Sequence, residues 1–252
     1  MQIRDQVTIA SRAGRQVHPR SSRRDGVCAD CEVCTLAFCS VLSDDEMGEL
    51  EGIRHDVQHD AGHGILDEGD PTNNVFNLTT GCVRLFKLLS DGRRQVIGFV
   101  LPGEYFGLIT SPRYPYAAEA VTPIRACRFN RAALDGLGER FPHLQRRMLE
   151  MAWDEVARLQ EQMLLLGRKT PKERIASFIL GLSDRHARIG FEASPLKVAM
   201  SRGDIADYLG LTVETVSRSF TSLRKEGLIA LPESSRIELR DREALLSLAD
   251  AE

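Results

Sequence analysis

From about residue 62 the chain alternates short apolar runs with glycine- and proline-bearing breaks. Val83 to Leu89, Val96 to Leu101 and Ile124 to Phe129 are set off by Gly69-Asp70-Pro71, Gly81, Asp91-Gly92, Pro102-Gly103 and Gly107. Closely spaced short strands with turn signals predict an antiparallel sandwich or barrel. Asp91-Gly92, lying between two such runs, is a hairpin turn because both residue types tolerate positive φ. Upstream, Ser43 followed three residues later by Glu46 is a capping-box pattern, and it opens a short helix through Leu50 and Ile53. Over residues 141–168 the period changes. Leu149, Ala152, Val156, Leu159, Met163 and Leu166 step by alternating threes and fours, the a/d seam of a two-helix coiled coil. An uncharged seam of this length predicts a dimerisation helix, against the plainer reading of an amphipathic helix packed on its own domain. Thr170-Pro171 starts a further helix, Lys172 to Leu182, with proline at a tolerated first-turn position.

The C-terminal segment carries the clearest motif. Ser201-Arg202-Gly203-Asp204 has capping-box-like spacing and leads into Ile205 to Leu209; Gly210 permits a sharp turn, and Thr212 caps a second helix that runs to about Lys225. Gly227 supplies the stop. Ile205, Leu209, Leu211, Val216 and Leu223 can share one core, which makes the pair a helix-turn-helix. Leu228 to Leu231 and Arg236 to Leu239, flanking Pro232-Glu233-Ser234-Ser235, add a small hairpin wing.

In such a unit the start of the second helix enters the major groove, here with Thr212, Val213, Glu214, Ser217 and Arg218 facing outward. Arg218 can donate twice to guanine O6 and N7, which discriminates by about 1–3 kcal/mol, and Glu214 can accept from a cytosine amino group. Ser217 can reach a phosphate or a base edge. Ser201 and Arg202 complete the candidate DNA contacts. The plain alternative for Glu214 and Arg218 is an i,i+4 ion pair on a solvated face.

Composition changes this picture little. The 252 residues are 42% hydrophobic and 27% charged, enough for one large domain or two modest ones. The net charge of −3 points to neither nucleic acid nor membrane, and no apolar run approaches the roughly 20 residues that span a bilayer. Residues 171–252 hold 12 Lys and Arg against 13 Asp and Glu. Attraction to phosphate must therefore come from local placement of Arg202, Arg224, Lys225 and Arg236.

Cysteine usage adds the second candidate chemistry. Four of six cysteines, Cys28, Cys31, Cys34 and Cys39, fall within twelve positions. Disulfides, a metal or cluster site, and chance all produce such crowding. The N-terminus lacks an apolar signal-peptide core and reads as an arginine-rich, unstructured tail over residues 1–27. A cytoplasmic, reducing location follows, in which thiols serve as ligands and not as disulfides.

Met200 to Arg218, with Ser201-Arg202-Gly203-Asp204-Ile205-Ala206 and Thr212-Val213-Glu214-Thr215-Val216-Ser217-Arg218, resembles the Crp/Fnr family of bacterial transcription regulators. The resemblance extends over most of residues 28–250. It implies an α+β fold made of an N-terminal antiparallel, jelly-roll-like β-roll sensor, a long dimerisation helix and a C-terminal winged helix-turn-helix. The corresponding spans are 28–140, 141–169 and 170–252. Glu214, Ser217 and Arg218 match the Fnr/FixK pattern, which implies double-stranded DNA with palindromic TTGAT-like half-sites and a homodimer. RNA polymerase is the implied partner, with the Ser90-Asp91-Gly92 turn as a contact by family analogy.

The cyclic-nucleotide branch binds phosphate through an acid and an arginine in the β-roll; here Leu108 replaces the acid and Tyr116 stands at the arginine. A buried phosphate left without a cation is costly, so cyclic nucleotide is not expected. The oxygen-sensing Fnr branch instead holds a [4Fe-4S] cluster with three N-terminal cysteines and one from the β-roll. Cys28, Cys31 and Cys39 reproduce one Fnr subgroup's C-x2-C-x7-C spacing, and Cys127 matches the fourth position. Soft thiolates suit iron–sulfur clusters. Cys34 departs from the pattern as a spare thiolate able to substitute, and Cys82 reads as small core. Zinc, a metal-free thiol switch and a FixK-like regulator without a cluster remain as rivals. A Cys-x-x-Cys oxidoreductase is opposed by the lack of a βαβ pattern. His55, His59 and His63, at helical spacing, read as a solvated face.

Overall fold

The computed structural model describes Cys28 and residues 31–250, so the expected N-terminal tail lies outside the described residues. A 3-10 turn at Phe38–Val41 leads into helix α1 (Asp44–Gly52). As the sequence predicts, Ser43 caps α1 and Glu46 returns the bond to the Ser43 backbone.

Eight strands follow: β1 (Arg54–His59), β2 (Gly64–Leu66), β3 (Asn74–Thr80), β4 (Val83–Leu88), β5 (Arg94–Val100), β6 (Tyr105–Phe106), β7 (Ala117–Ala120) and β8 (Ile124–Asn130). They form two antiparallel four-stranded sheets, ordered β1-β8-β3-β6 and β2-β7-β4-β5. Leu66, Phe76, Leu78, Val83, Val100, Phe106, Ala118 and Ala126 fill the space between the sheets. The rings of Phe76 and Phe106 stack there at 4.9 Å. Gly92, at φ +84°, closes the β4–β5 hairpin where the Asp91-Gly92 signal places a turn. His55 and His63 are exposed and His59 half-buried, as a solvated face requires, but His55 and His59 lie on strand β1, paired with β8, so the helical spacing is coincidental. Pairing with a distant strand outweighs a local period. His59 stacks on His63 with centroids 4.6 Å apart.

Helix α2 (Arg131–Arg140), capped by Asn130, turns at Phe141 into α3 (Pro142–Arg168). The start of α3 is anchored by Leu144 and Met148, packed with Phe38, Leu42, Met47 and Leu134. Its middle is not buried by its own chain. Leu149, Val156, Leu159 and Met163 are exposed, joined by Trp153 and Leu164, which the seam did not include; Ala152 is half-buried. Leu166, placed on the seam, instead packs against the core of its own C-terminal half.

Helix α4 (Pro171–Arg188) runs six residues beyond the expected Leu182, because Ser183 and His186 still face the core. After it come β9 (Leu196–Lys197), α5 (Arg202–Leu209), α6 (Val213–Lys225), β10 (Ile229–Glu233), β11 (Arg236–Leu239) and α7 (Arg242–Ala249). Gly210 takes the left-handed conformation (φ +61°, ψ +43°) that the α5–α6 turn requires. The wing differs from expectation in two ways. Pro232 and Glu233 belong to strand β10, and a third strand, β9, pairs with β11. Strand β9 is too short to leave a periodic signature.

The C-terminal core is continuous with the β-roll. Cys82, Val96, Phe99 and Leu101 pack in one cluster with Ile175, Ile179, Ile205, Leu209, Val216 and Leu223. Reader and sensor therefore share apolar packing within one chain.

Candidate thiol centre and nucleic-acid interface

Five cysteines converge at one end of the β-roll. Cys28 and Cys34 are buried, Cys31, Cys39 and Cys127 half-buried, and all five pack in the cluster around Phe38. Phe38 pins the segment by meeting Tyr105 and Phe129 edge-on at 6.5 and 5.4 Å. The Cys28 backbone N–H donates to Glu51 Oε1 at 3.1 Å, and the sulfurs of Cys34 and Cys39 lie 3.9 Å apart. Cys127 reaches the group because β8 pairs with β1, which sets Cys127 opposite Asp56. Arg54 Nη1 then approaches the Cys127 sulfur at 3.8 Å.

Burial, then the Glu51 carboxylate, pushes the Cys28 thiol up to about 12. Cys31 and Cys127 are raised chiefly by burial, although Arg54 opposes the shift at both. Cys39 is raised by its hydrogen bond with Cys34 and then by burial. Burial of this kind favours the protonated thiols when no positive partner is bound. Deprotonating them takes a positive partner, and a bound metal is the strongest. Among the described residues no three His, Cys, Asp or Glu side chains sit closely enough to hold a single metal ion. The donor chemistry does fit a thiolate-bound cluster: five soft ligands beside a cationic Arg54 whose Nε is buried without a hydrogen-bond partner. Cys82 stands apart, 1% exposed in the core shared with the C-terminal half, its backbone N–H donating to Thr122.

The cysteine segment also touches the long helix. Arg147 of α3 donates from Nη2 to the Leu36 carbonyl at 3.2 Å. Between α3 and the β-roll lies a cavity of about 490 Å³ lined by Phe99, Glu104, Tyr105, Leu108, Tyr116 and Arg158, among others. Tyr116, at the position the family's arginine would occupy, is buried, and its hydroxyl accepts from the Gly107 N–H at 3.1 Å.

At the other end, helix α6 presents Thr212, Val213, Glu214, Ser217 and Arg218 to solvent. Thr212 caps the helix by accepting from the Thr215 N–H at 3.2 Å. Hydrogen bonds from its own backbone and from Thr212, with a smaller push from Arg218, hold the Glu214 carboxyl below the usual range. An open cleft along α6 is lined by Ser217, Arg218, Thr221, Ser222 and Lys225, of which sequence reasoning omitted Thr221 and Ser222. Ser201 and Arg202 are also engaged within the fold. Ser201 caps α5, donating to Asp204 Oδ2 at 2.7 Å, and the Arg202 guanidinium lies 3.5 Å over the Phe220 ring.

Both halves match known families. Residues 56–141 match the cyclic nucleotide-binding domain and residues 173–248 the Crp-like helix-turn-helix domain. The nitrogen fixation regulation protein FixK of Bradyrhizobium diazoefficiens is 41% identical over 204 residues, covering 81% of this chain and 86% of that protein. The transcriptional activator protein Anr of Pseudomonas aeruginosa is 36% identical over 245 residues, 96% of each chain. The solved structure of FixK2 from Bradyrhizobium japonicum superposes with a TM-score of 0.75 at 38% identity, covering 79% of this chain and 99% of that one. The chain therefore belongs to the Crp/Fnr family of transcription regulators, which bind DNA as dimers and are not enzymes.

Proposed function

We propose that this chain is an oxygen-responsive regulator that binds TTGAT-like palindromes as a homodimer and holds a [4Fe-4S] cluster on Cys28, Cys31, Cys39 and Cys127. The observation that carries the reading is the convergence of Cys127, distant in sequence, on the N-terminal cysteines beside Arg54. Cys34, 3.9 Å from Cys39, is the substitute for the third ligand. When bound, the cluster supplies a charge that pairs with Arg54 and a sensitivity to oxidation by oxygen.

The protein's own residues carry the consequence. Phe38 and the Arg147–Leu36 contact tie the thiol segment to the β-roll and to the start of α3, so order in that segment is transmitted to the helix. The exposed stripe of Leu149, Val156, Leu159 and Met163 meets its equivalent in a second copy, with Ala152 at its edge. The two α6 helices then enter successive major grooves. Arg218 reads guanine, Glu214 its paired cytosine, and Ser217, Thr212 and Arg202 the neighbouring edges or phosphates. Cyclic nucleotide is not assigned to the cavity, since Leu108 and Tyr116 stand where the family's acid and arginine would be, and Arg158 and Arg185 in its lining are engaged by Glu104.

A second reading, a FixK-like regulator with the same DNA specificity and no cluster, is favoured by the 41% identity to FixK. The match to Anr takes in 96% of the chain and hence the cysteine segment. Iron and sulfide analysis of anaerobically purified protein separates the two. The cluster reading expects both elements, lost in Cys127→Ser and kept in Cys82→Ser. An iron-free, colourless protein that binds its palindrome tightly establishes the FixK-like reading instead.

A further inference from the structure

The β-roll grips the first helix of its own reader through charge. Asp204, in the first turn of α5, is 3% exposed. Its Oδ1 accepts from Arg84 Nη1 of β4 at 2.8 Å and from Arg94 Nη2 of β5 at 2.9 Å. Its Oδ2 accepts from the Ser201 hydroxyl and backbone N–H. One carboxylate thus serves both as the α5 cap and as the anchor to the sensor sheet. One turn later Arg94 Nε donates to Asp207 Oδ2 at 2.8 Å, and Gln95 Nε2 donates to the Asp207 carbonyl at 2.6 Å. Arg84 is itself braced by Glu119 of β7. At the far end of α5, Tyr208 wedges against Phe99 and Phe178. Gln162 of α3 donates to the Tyr208 carbonyl, and Arg174 of α4 to that of Leu209.

This grip leaves the reading face open, because Glu214, Ser217 and Arg218 on α6 stay exposed. It fixes the direction of α5, and α6 follows α5 across the Gly210 turn. In a two-fold dimer joined along α3, the separation and tilt of the two α6 helices are then set by this docking. We infer that Arg84 and Arg94 are positioning residues that set the half-site spacing the dimer accepts, by holding Asp204 and Asp207 of α5 against the β4–β5 hairpin. The inference rests on the dimeric, palindrome-binding reading given above. Desolvated charge pairs with several hydrogen bonds are geometrically selective, a use well suited to fixing one arrangement.

The test uses the full chain, purified anaerobically, and duplexes bearing two TTGAT half-sites about one helical turn apart or one base pair closer or farther. The variants are Arg94→Ala, Arg84→Ala/Arg94→Ala, and the conservative Arg94→Lys, which keeps a positive charge beside both Asp204 and Asp207. For the wild type, each altered spacing should cost about tenfold or more in affinity. In the alanine variants, affinity at the native spacing should fall by about tenfold while the spacing penalty shrinks to about twofold. Arg94→Lys should retain part of the preference. Discrimination at the guanine, removed by Arg218→Ala, should persist in every clamp variant. A parallel loss at all spacings, or a spacing preference unchanged from wild type, overturns the inference. Wild-type protein that fails to bind the palindrome at all overturns the reading beneath it, and the inference with it.

Discussion

In the proposed function Arg218 reads DNA and Cys127 is a cluster ligand, and each role can be tested one side chain at a time. Arg218→Ala should lower discrimination for the guanine position by about 1–3 kcal/mol while leaving non-specific binding nearly unchanged, as read by competition with mismatched duplexes. Equal losses on every sequence would make Arg218 a phosphate contact instead. The four N-terminal cysteines are legible because their spacing is local. The partner set is less so: Cys127 follows only from the family resemblance, and Arg54 leaves no local signal, since its approach to Cys127 exists only through the β1–β8 register. Ser201 and Arg202 show the reverse case. Their motif is plain, whereas the ring contact between Arg202 and Phe220 leaves no local signal. His186 makes a pH prediction. Burial, then Arg185, holds its ring below the usual 6.5, so the unfolded chain binds the proton more readily. Its contribution to stability is full above about 6.5 and is lost as pH falls through the lower folded value. A proton titration by NMR that places His186 above 6.5 contradicts this.

Among the elements, those with strong local signals were readable. The α1 capping box, the Asp91-Gly92 hairpin and the α5–Gly210–α6 turn each rest on residues within one turn of one another. Strand β9, helix α7 and the extra turns of α4 are settled by packing that only the folded chain supplies. Helix α3 is the informative case. Its seam was read from period alone, and Leu149, Val156, Leu159 and Met163 are exposed in the single chain, whereas Leu166 turns inward. Leu159→Asp should therefore convert the protein to monomer in sedimentation while thermal stability of the monomer barely changes. A retained dimer would place the interface elsewhere. Loss of the Thr212 cap on α6, by Thr212→Ala, should cost about 1 kcal/mol of stability in denaturant unfolding.

Across the whole molecule, near-neutral net charge conceals a DNA-binding regulator, and Arg218, Arg224 and Lys225 lie together on one exposed helix. The change of period near residue 170 suggests a division, but it gives no sign of the joint across it. Cys82, Phe99 and Leu101 of the β-roll pack with α4 and α5, and Glu104 bonds Arg158 of α3 and Arg185 of α4. These pairs lie far apart in sequence and leave no periodic trace. Under the proposed function this joint couples the thiol end to the DNA end through α3 and the β4–β5 hairpin. That coupling is most directly tested by titrating the anaerobically purified chain against a TTGAT palindrome before and after exposure to air, with iron and sulfide measured in the same samples. About four irons and four sulfides per chain, with tight binding that weakens as they are lost, is the predicted result. Iron-free protein whose affinity is the same in both conditions would contradict it.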